Sequence, residues 1–260
     1  MEFLKRGLAP ITNVAWEEID KRAKLVLTNH LTARKVVNVI GPKGRDFESI
    51  SLGRMGLKEK EGLYYGVYKT QPLVETRIGF SMNRWELDNI ERGAKDINFD
   101  ELDAAVKKAA LFEDAAIFYG LEAACIEGLN SSTQPNYDFG KTEEETLRSV
   151  IAAACKLKDF CANHPYALVV SEEKWIYLNQ ASKDSSLVKK LEKILGVPIF
   201  VSSNVKEAFL LPYNDENMEM TIGMDYSVGY QVCDETEVKL FITSSFTFRP
   251  LDKNLIIMFN

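Results

Sequence analysis

The acidic stretch that follows Trp85 is where residue types and spacing come closest to a catalytic site. Three carboxylates lie close together there: Glu86, Asp88 and Glu91. Neighbouring carboxyl groups can act as general acid and general base. Basic residues alternate with them, namely Arg84, Arg92 and Lys95. Alternating charge is more typical of a solvated or inter-subunit ion-pair surface, so we expect no catalytic residue here.

Trp85 offers a different kind of chemistry, the stacking of a flat ligand. Its indole lies between Arg84 and Glu86, with Arg77 a few residues earlier. Such a setting could hold a flat anionic molecule such as a flavin. Tryptophan and arginine are also enriched at subunit contacts, and this is the favoured interpretation. We therefore expect no resident cofactor and keep a flavin at Trp85 as the alternative.

The other reactive side chains form no recognisable motif in the sequence. The histidines are His30 and His164, and neither has a second ligand at metal-binding spacing. The cysteines lack CxxC spacing and are expected to be reduced: Cys125, Cys155, Cys161 and Cys233. Gly140-Lys141-Thr142 resembles the end of a phosphate loop, but Pro135 stands where that loop needs glycine. The sequence therefore predicts neither a metal site nor an enzyme.

Composition narrows the classes of partner. The 260 residues are 46% hydrophobic and 27% charged, as in ordinary globular proteins. A formal net charge of −6 argues against a nucleic-acid partner, which needs clustered lysine and arginine. The sequence shows neither an apolar stretch of membrane-spanning length nor a signal-peptide pattern in MEFLKRGLAP. We therefore expect a cytoplasmic protein without a membrane partner.

Two long periodic segments form the predicted framework. Residues 101–128 repeat apolar side chains at helical spacing, and Gly128 is expected to end that helix. Residues 237–249 alternate apolar and polar side chains, which predicts an unusually long β-strand with one buried face. The two segments match in expected length, so we predict that they lie side by side as a spine. Residues 13–34 predict a further amphipathic helix.

The segments around this framework differ in character. Residues 46–72 predict a β-hairpin with a charged tip and a weak apolar face. A lone hairpin is marginal in water, so this one either lies on its own subunit or borrows stability from a neighbour. Residues 129–215 alternate helices with short buried strands, which predicts a compact α/β lobe. Within it, Thr142 and Glu145 form a capping box that opens a helix.

Four motifs along the chain resemble the encapsulin shell proteins. They read MEFLKR..AP.T...W.EID..A, ARKVV.V.GP.G, WELDN.ERG and G.D.S.GY.........LFIT..FTF, and they occur in family order with family-like spacing over nearly the whole chain. The resemblance implies the fold of tailed-phage major capsid proteins, an α+β fold. Its parts are a peripheral domain with a long spine helix and long β-strands, an axial α/β domain and an extended β-hairpin loop.

The resemblance also implies a division of the chain into five parts. Residues 1–45 would be a lumen-facing N-terminal helix and arm, and residues 46–72 the extended loop on an adjacent subunit. Residues 73–128 would form the peripheral domain with its spine helix, and residues 129–215 the axial domain. Residues 216–260 would return to the peripheral domain.

Two functional surfaces are implied by the same resemblance. The family places a pore loop at the fivefold axis, here a small polar run: Gln180, Ala181, Ser182, Lys183, Asp184, Ser185 and Ser186. Cargo docking in the family uses the N-terminal helix and the nearby peripheral surface. The matching positions are Arg34, Val36, Val37, Asn38, Val39, Asp225 and Tyr226. Position 38 is Asn where an acidic residue is expected in some relatives, and core packing is the alternative for all these positions.

The implied function is that of a non-enzymatic shell subunit. About 60 copies would close into an icosahedral compartment in the cytoplasm. A cargo enzyme, a ferritin-like iron-storage protein or a peroxidase, would be held through its C-terminal loading peptide, and pores would pass ions and small solutes. A phage or prophage major capsid protein is the alternative within the same class. A soluble cytosolic enzyme is the alternative from another class.

Overall fold

The structure is a computed structural model that describes residues 3–180 and 187–260. Within these residues the α-helices are, in chain order, α1 (Asn13–His30), α2 (Arg84–Glu91), α3 (Asp100–Tyr119), α4 (Glu143–Asp159), α5 (Glu172–Gln180) and α6 (Leu187–Leu195). The β-strands are β1 (Asn38–Ile40), β2 (Ser49–Lys60), β3 (Leu63–Pro72), β4 (Val74–Asn83), β5 (Tyr166–Ser171), β6 (Phe200–Ser202), β7 (Ala208–Pro212), β8 (Met218–Ile222), β9 (Ser227–Cys233), β10 (Glu237–Pro250) and β11 (Ile257–Phe259).

Strand β10 organises the main sheet. At 14 residues it spans about 46 Å, which confirms the predicted long strand. One of its edges pairs with β4, and the other pairs first with β9 and then with β8. Strand β1 continues the sheet beyond β8 in parallel orientation. The strand is long because three others use it as their common partner.

The prediction that only one face of β10 is buried was wrong. Thr243, Ser245 and Thr247 belong to the polar set, yet they are buried as fully as the apolar set. Other segments of the chain cover this second face, and they supply hydrogen-bond partners for most of its hydroxyls. The buried Gln71 amide, for example, donates to Thr247 Oγ1 at 2.9 Å and to the Phe248 carbonyl at 2.8 Å. Among the described residues, Thr243 Oγ1 lacks such a partner.

Helix α3 packs against β4 and β10, as the spine arrangement predicted. It is shorter than expected, because it ends before Gly120 instead of at Gly128. Gly120 has φ 84° and ψ 169°, a conformation open essentially to glycine. The chain then folds back until Gly128 lies against Gly120, so close that a Cβ on Gly128 would come within 2.3 Å of the Gly120 nitrogen. The helix therefore spans about 30 Å and does not match the strand in length.

The predicted α/β lobe is present around a second sheet. Its strand order is β11-β7-β5-β6, and β5 and β7 are buried along their whole length. Helix α4 opens with the predicted capping box, since Thr142 Oγ1 accepts the Glu145 N–H and Glu145 accepts the Thr142 N–H. The apolar core of this lobe is continuous with Phe246 and Phe248 of β10. The lobe is thus fused to the main sheet through a shared core.

The hairpin β2–β3 projects from the rest of the subunit. Glu61 and Gly62 form its two-residue turn, both with positive φ, as a type I′ hairpin turn requires. Beyond the anchored base at Ile50 and Gln71, most of its side chains are exposed on both faces. The hairpin prediction is confirmed, and the subunit itself leaves most of the hairpin surface uncovered.

Among the described residues, no helix is long and apolar enough to cross a membrane.

Replacing Gly120 by alanine tests the early helix end. A Cβ there would lie 2.8 Å from the Ile126 carbonyl oxygen, and the backbone conformation is strained for any L-residue. We expect a loss of about 3 kcal/mol in the free energy of unfolding, measured by denaturant titration. Gly93 has a similar φ of 86°, and among the described residues it faces open space. Gly93→Ala should therefore lose less, about 1 kcal/mol. Equal losses would contradict the proposed packing between Gly120 and the 126–128 segment.

Candidate functional site

A groove of about 700 Å³ lies between α1 and the β9–β10 part of the main sheet. We call it the α1 groove. Helix α1 and the Leu31 that follows it contribute one wall through residues at three- and four-residue steps: Asp20, Ala23, Lys24, Leu27, Thr28 and Leu31. Val228 and Ile242, both buried, form the floor from β9 and β10. The groove is therefore apolar at its base and charged along its rim.

The sequence of α1 explains how the helix can line a groove and still be anchored. Thr12 caps it by accepting the Ala15 N–H at 3.2 Å. A buried stripe that includes Trp16, Ile19 and Val26 faces the core, where α1 packs against α3 and α2. The stripe with Leu27 lies beside it on the helix surface. Two adjacent apolar stripes give α1 one face for the core and a second for the groove.

Arg34 closes one end of the α1 groove. Its guanidinium donates to both oxygens of the fully buried Glu113 carboxylate, at 2.6 and 2.8 Å, and to Asp225 Oδ1 at 2.7 Å. It also lies 5.0 Å from the centre of the Tyr226 ring. Burial alone would lower the pKa of Arg34, but the hydrogen bonds and charges of Glu113 and Asp225 raise it well above its usual range. Arg34 is therefore a fixed positive charge that joins three separate segments.

Asp114 holds the backbone next to this cluster. Its carboxylate accepts the N–H groups of Thr32 and Ala33, both at 3.0 Å. These bonds hold the turn that follows α1, so the helix ends at His30 and not at residue 34 as predicted. Burial raises the pKa of Asp114 to about 7, although the two N–H groups act in the opposite direction. The spine helix thus carries two adjacent buried acids with different partners.

Sequence reasoning missed Glu113 and Asp114, although a signal was present. They occupy the apolar stripe of α3 one helical turn after Ala109 and Ala110 and before Ile117. Acidic residues in the middle of an otherwise apolar stripe are expected to be buried and paired. Arg34 was singled out, but its buried partner was not.

The structure brings together part of the expected cargo-docking set. Arg34, Asp225 and Tyr226 meet at one end of the α1 groove. The side chains of Val36 and Val37 are buried in the core, which is the packing alternative for these two positions. The partly buried Asn38 and Val39 lie in β1, where they pair with Glu219 and Met220 of β8. The apolar surface of the groove comes instead from residues such as Leu27, Leu31 and Val228.

Trp85 lies away from this groove, in the first turn of α2. It is 67% exposed, and the Arg92 guanidinium lies 5.8 Å from its ring. Glu86 accepts the Asn98 N–H at 3.2 Å, which ties down the loop after α2. Asp88 lies 4.0 Å from Arg92 at the surface. These two carboxylates are thus engaged in separate surface contacts, and a flavin at Trp85 stays a prediction.

The remaining expectations concern metal sites and the pore loop. Within residues 3–180 and 187–260, no group of three or more metal-ligating side chains is found. The described residues also contain no disulfide among the four cysteines. Gln180 is the last residue of α5, and Ala181 to Ser186 of the predicted pore loop lie outside the described residues.

Comparison with known proteins identifies the family. The family model Linocin_M18, described as encapsulating protein for peroxidase, matches residues 1–247. The chain belongs to the encapsulin family. Among its relatives, the type 1 encapsulin shell protein of Rhodococcus erythropolis is 32% identical over 252 residues, which cover 95% of this chain and 96% of the relative. The type 1 encapsulin shell protein of Rhodospirillum rubrum is 33% identical over 262 residues, covering 96% of this chain and 94% of the relative.

Solved structures agree with this assignment at the level of fold. The virus-like particle of Pyrococcus furiosus superposes with a TM-score of 0.68 at 14% identity, over 94% of this chain and 99% of that one. The capsid of Myoviridae phage XM1 superposes with a TM-score of 0.59 at 10% identity, over 88% and 91%. The predicted α+β capsid fold is therefore confirmed. This encapsulin has a structural role as a shell protein, and its relatives imply a multi-subunit assembly.

Asp114→Asn tests the buried acid of this encapsulin. The folded-state pKa of about 7 exceeds the ordinary 3.8, so the folded state binds the proton more tightly between these values. The resulting stability is fully present below pH 3.8 and is lost as pH rises through about 7, by up to about 4 kcal/mol. Asparagine resembles the neutral acid, so its thermal midpoint should fall less between pH 4 and 7 than that of wild type.

Asp100→Asn, at the exposed start of the same helix, is the control for losing one negative charge. Thermal midpoints are measured across the pH range for all three proteins. Parallel curves for wild type and Asp114→Asn would contradict a raised pKa at Asp114.

Proposed function

We propose that this encapsulin closes into an icosahedral compartment of about 60 copies in the cytoplasm and encloses a cargo enzyme. The observation that carries the proposal is the end-to-end match with type 1 encapsulin shell proteins, which leaves no large part of the chain for another function. A chain of 260 residues with a capsid fold favours the smallest closed shell. The pores, for ions and small solutes, would be formed in part by residues 180–186.

The hairpin β2–β3 supports assembly from identical copies. Several of its exposed side chains are large and apolar, with Leu57 at 80%, Tyr64 at 76% and Tyr68 at 75% exposure. An isolated two-stranded hairpin gains too little burial to be stable alone in water. The occupant that we propose for this surface is a second copy of the chain, because a closed shell places an identical neighbour beside every subunit. The hairpin then acts as an arm that interlocks neighbours.

The α1 groove supports docking of an extended peptide from the cargo. Its apolar floor and wall suit small aliphatic side chains, and the charges of Asp225 and Lys24 on its rim can fix the position of a bound strand. We propose that the C-terminal loading peptide of the cargo binds here. Arg34 and Asp225 from the docking set named above form its end.

The cargo that we propose is a peroxidase or a ferritin-like iron-storage protein. The family description, encapsulating protein for peroxidase, supports the first. In either case the subunit needs no chemistry of its own, because catalysis would take place on the enclosed enzyme. The subunit's lack of a chemical role agrees with the carboxylates beside Trp85, since Glu86 and Asp88 make separate surface contacts and do not act together.

The mass of the purified protein tests the shell. About 60 copies of the 29.4 kDa chain give a particle of about 1.8 MDa, measurable by light scattering after gel filtration. A hairpin variant with Tyr64→Ser and Tyr68→Ser should shift the protein toward small species, since it removes apolar area from the intersubunit surface and not from the subunit core. Wild type eluting as one to four subunits would refute the shell.

Loading of cargo tests the α1 groove. Leu27 lines the groove, whereas Leu25 lies on the same helix outside it and is 52% exposed. We expect Leu27→Ser to lower the amount of co-purified cargo about tenfold at unchanged shell mass, because a bound peptide loses apolar contact. Leu25→Ser is the matched control and should load like wild type. Equal loading by both variants would move the docking site elsewhere.

A further inference from the structure

The segment of residues 3–8 forms part of the wall of the α1 groove. Leu4 and Arg6 both line the groove. The Leu4 carbonyl accepts the Tyr230 N–H at 2.8 Å, so the segment runs along the outer edge of β9. Strand β9 pairs with β10 on its other edge. The chain start therefore covers an edge of the sheet at the place where the groove opens.

Arg6 joins the two sides of the groove. Its guanidinium donates to both oxygens of Asp20 on α1, at 2.8 and 2.6 Å. Its Nε donates to the Val228 carbonyl of β9 at 2.8 Å. Its Cζ lies 4.4 Å from the centre of the Trp16 ring, one helical turn before Asp20. One rigid group thus contacts α1 twice and β9 once.

Arg34 makes a similar set of contacts at the opposite end. Each arginine pairs with a carboxylate in a two-oxygen geometry and lies over an aromatic ring. Helix α1 packs chiefly against α3 and α2, with β9 across the groove. Arg6 therefore bridges α1 and β9, whose direct packing is sparse. Arg34 instead links the turn after α1 to Glu113 of α3 and to Asp225 just before β9.

Phe3 anchors the segment outside the groove. Its ring meets that of Phe241 edge-on at 6.0 Å, and the guanidinium groups of Arg45 and Arg77 lie 3.5 and 4.9 Å from it. Such contacts hold an aromatic ring against a sheet surface. With its start fixed by Phe3, the segment presents Arg6 at a defined place between α1 and β9.

We propose that Arg6 is a positioning residue of the α1 groove, which sets the spacing of α1 and β9 for an extended peptide. An exposed ion pair alone contributes little to stability. Arg6 binds Asp20 through two hydrogen bonds of its planar guanidinium, donates a third to Val228 and lies over the Trp16 ring. A single point charge would not supply this geometry. The consequence for cargo docking rests on the proposed function.

The test co-expresses the full-length shell with a fluorescent protein that carries a probe at its C-terminus. The probes are eight-residue peptides in which leucine or isoleucine alternates with glycine or serine. Shells of wild type, Arg6→Ala and Arg6→Lys are purified, with Arg92→Ala as a control outside the groove. We expect Arg6→Ala to retain about tenfold less probe at unchanged shell mass and thermal midpoint. Arg6→Lys should restore part of the loss, and Arg92→Ala should load like wild type.

A second measurement separates this inference from the proposed function. Hydrogen exchange at the Tyr230 amide and its neighbours in β9 is compared in empty shells, where Arg6→Ala should exchange faster. If Arg6→Ala exchanges faster but wild-type shells retain no probe, the bridge made by Arg6 still stands. Peptide docking in the proposed function would then be refuted. Unchanged exchange, or equal probe retention by Arg6→Ala and by a wild type that does load the probe, would overturn the role of Arg6. If Arg6→Ala retains less probe and also shows a lower shell mass and a lower thermal midpoint, the residue has a general structural role. That result would overturn the positioning role too.

Discussion

A buried strand has to satisfy its backbone hydrogen-bonding groups along both edges, and β10 meets this requirement by changing partner. One edge pairs with β4 as far as Phe246, while the other passes from β9 to β8. The junction falls at Ser245, whose N–H donates to the Met224 carbonyl, whose hydroxyl accepts the Met224 N–H and whose carbonyl accepts the Gly223 N–H. The loop across this junction carries Asp225 and Tyr226. The end of the α1 groove therefore lies where β10 exchanges one neighbour for the next.

Buried acidic groups then fix the helices relative to this sheet. Glu113 and Asp114 both lie in the core face of α3, where an ionised group is costly unless it is paired. Glu113 is paired by Arg34, and Asp114 by two backbone N–H groups of the turn after α1. An apolar pair at these positions would remove that cost but would also remove the directional bonds. The acids thus contribute to where α1 ends, and with it to the shape of the groove.

Local patterns predicted the elements whose determinants lie within a few residues. The turn at Glu61-Gly62 and the capping box at Thr142 follow from short-range geometry. The end of α3 could not be predicted, because Gly120 and Gly128 are equally plausible helix ends in the sequence. Which of the two glycines ends the helix depends on a contact between them that forms only in the folded chain. The second buried face of β10 was likewise hidden, since Gln71, which binds Thr247, is distant in sequence.

The candidate site was predicted only in part, for a related reason. Family motifs pointed to Arg34, Asp225 and Tyr226, which do meet. The apolar lining from Leu27 and the bridge from Arg6 lie on surfaces whose periodicity also fits ordinary packing.

The uncovered hairpin has a consequence for the newly made chain. A freshly translated subunit presents aromatic side chains and two open strand edges, which can pair with any neighbour. Productive closure and precipitation then compete for the same surface, and the rate of synthesis influences which of them prevails.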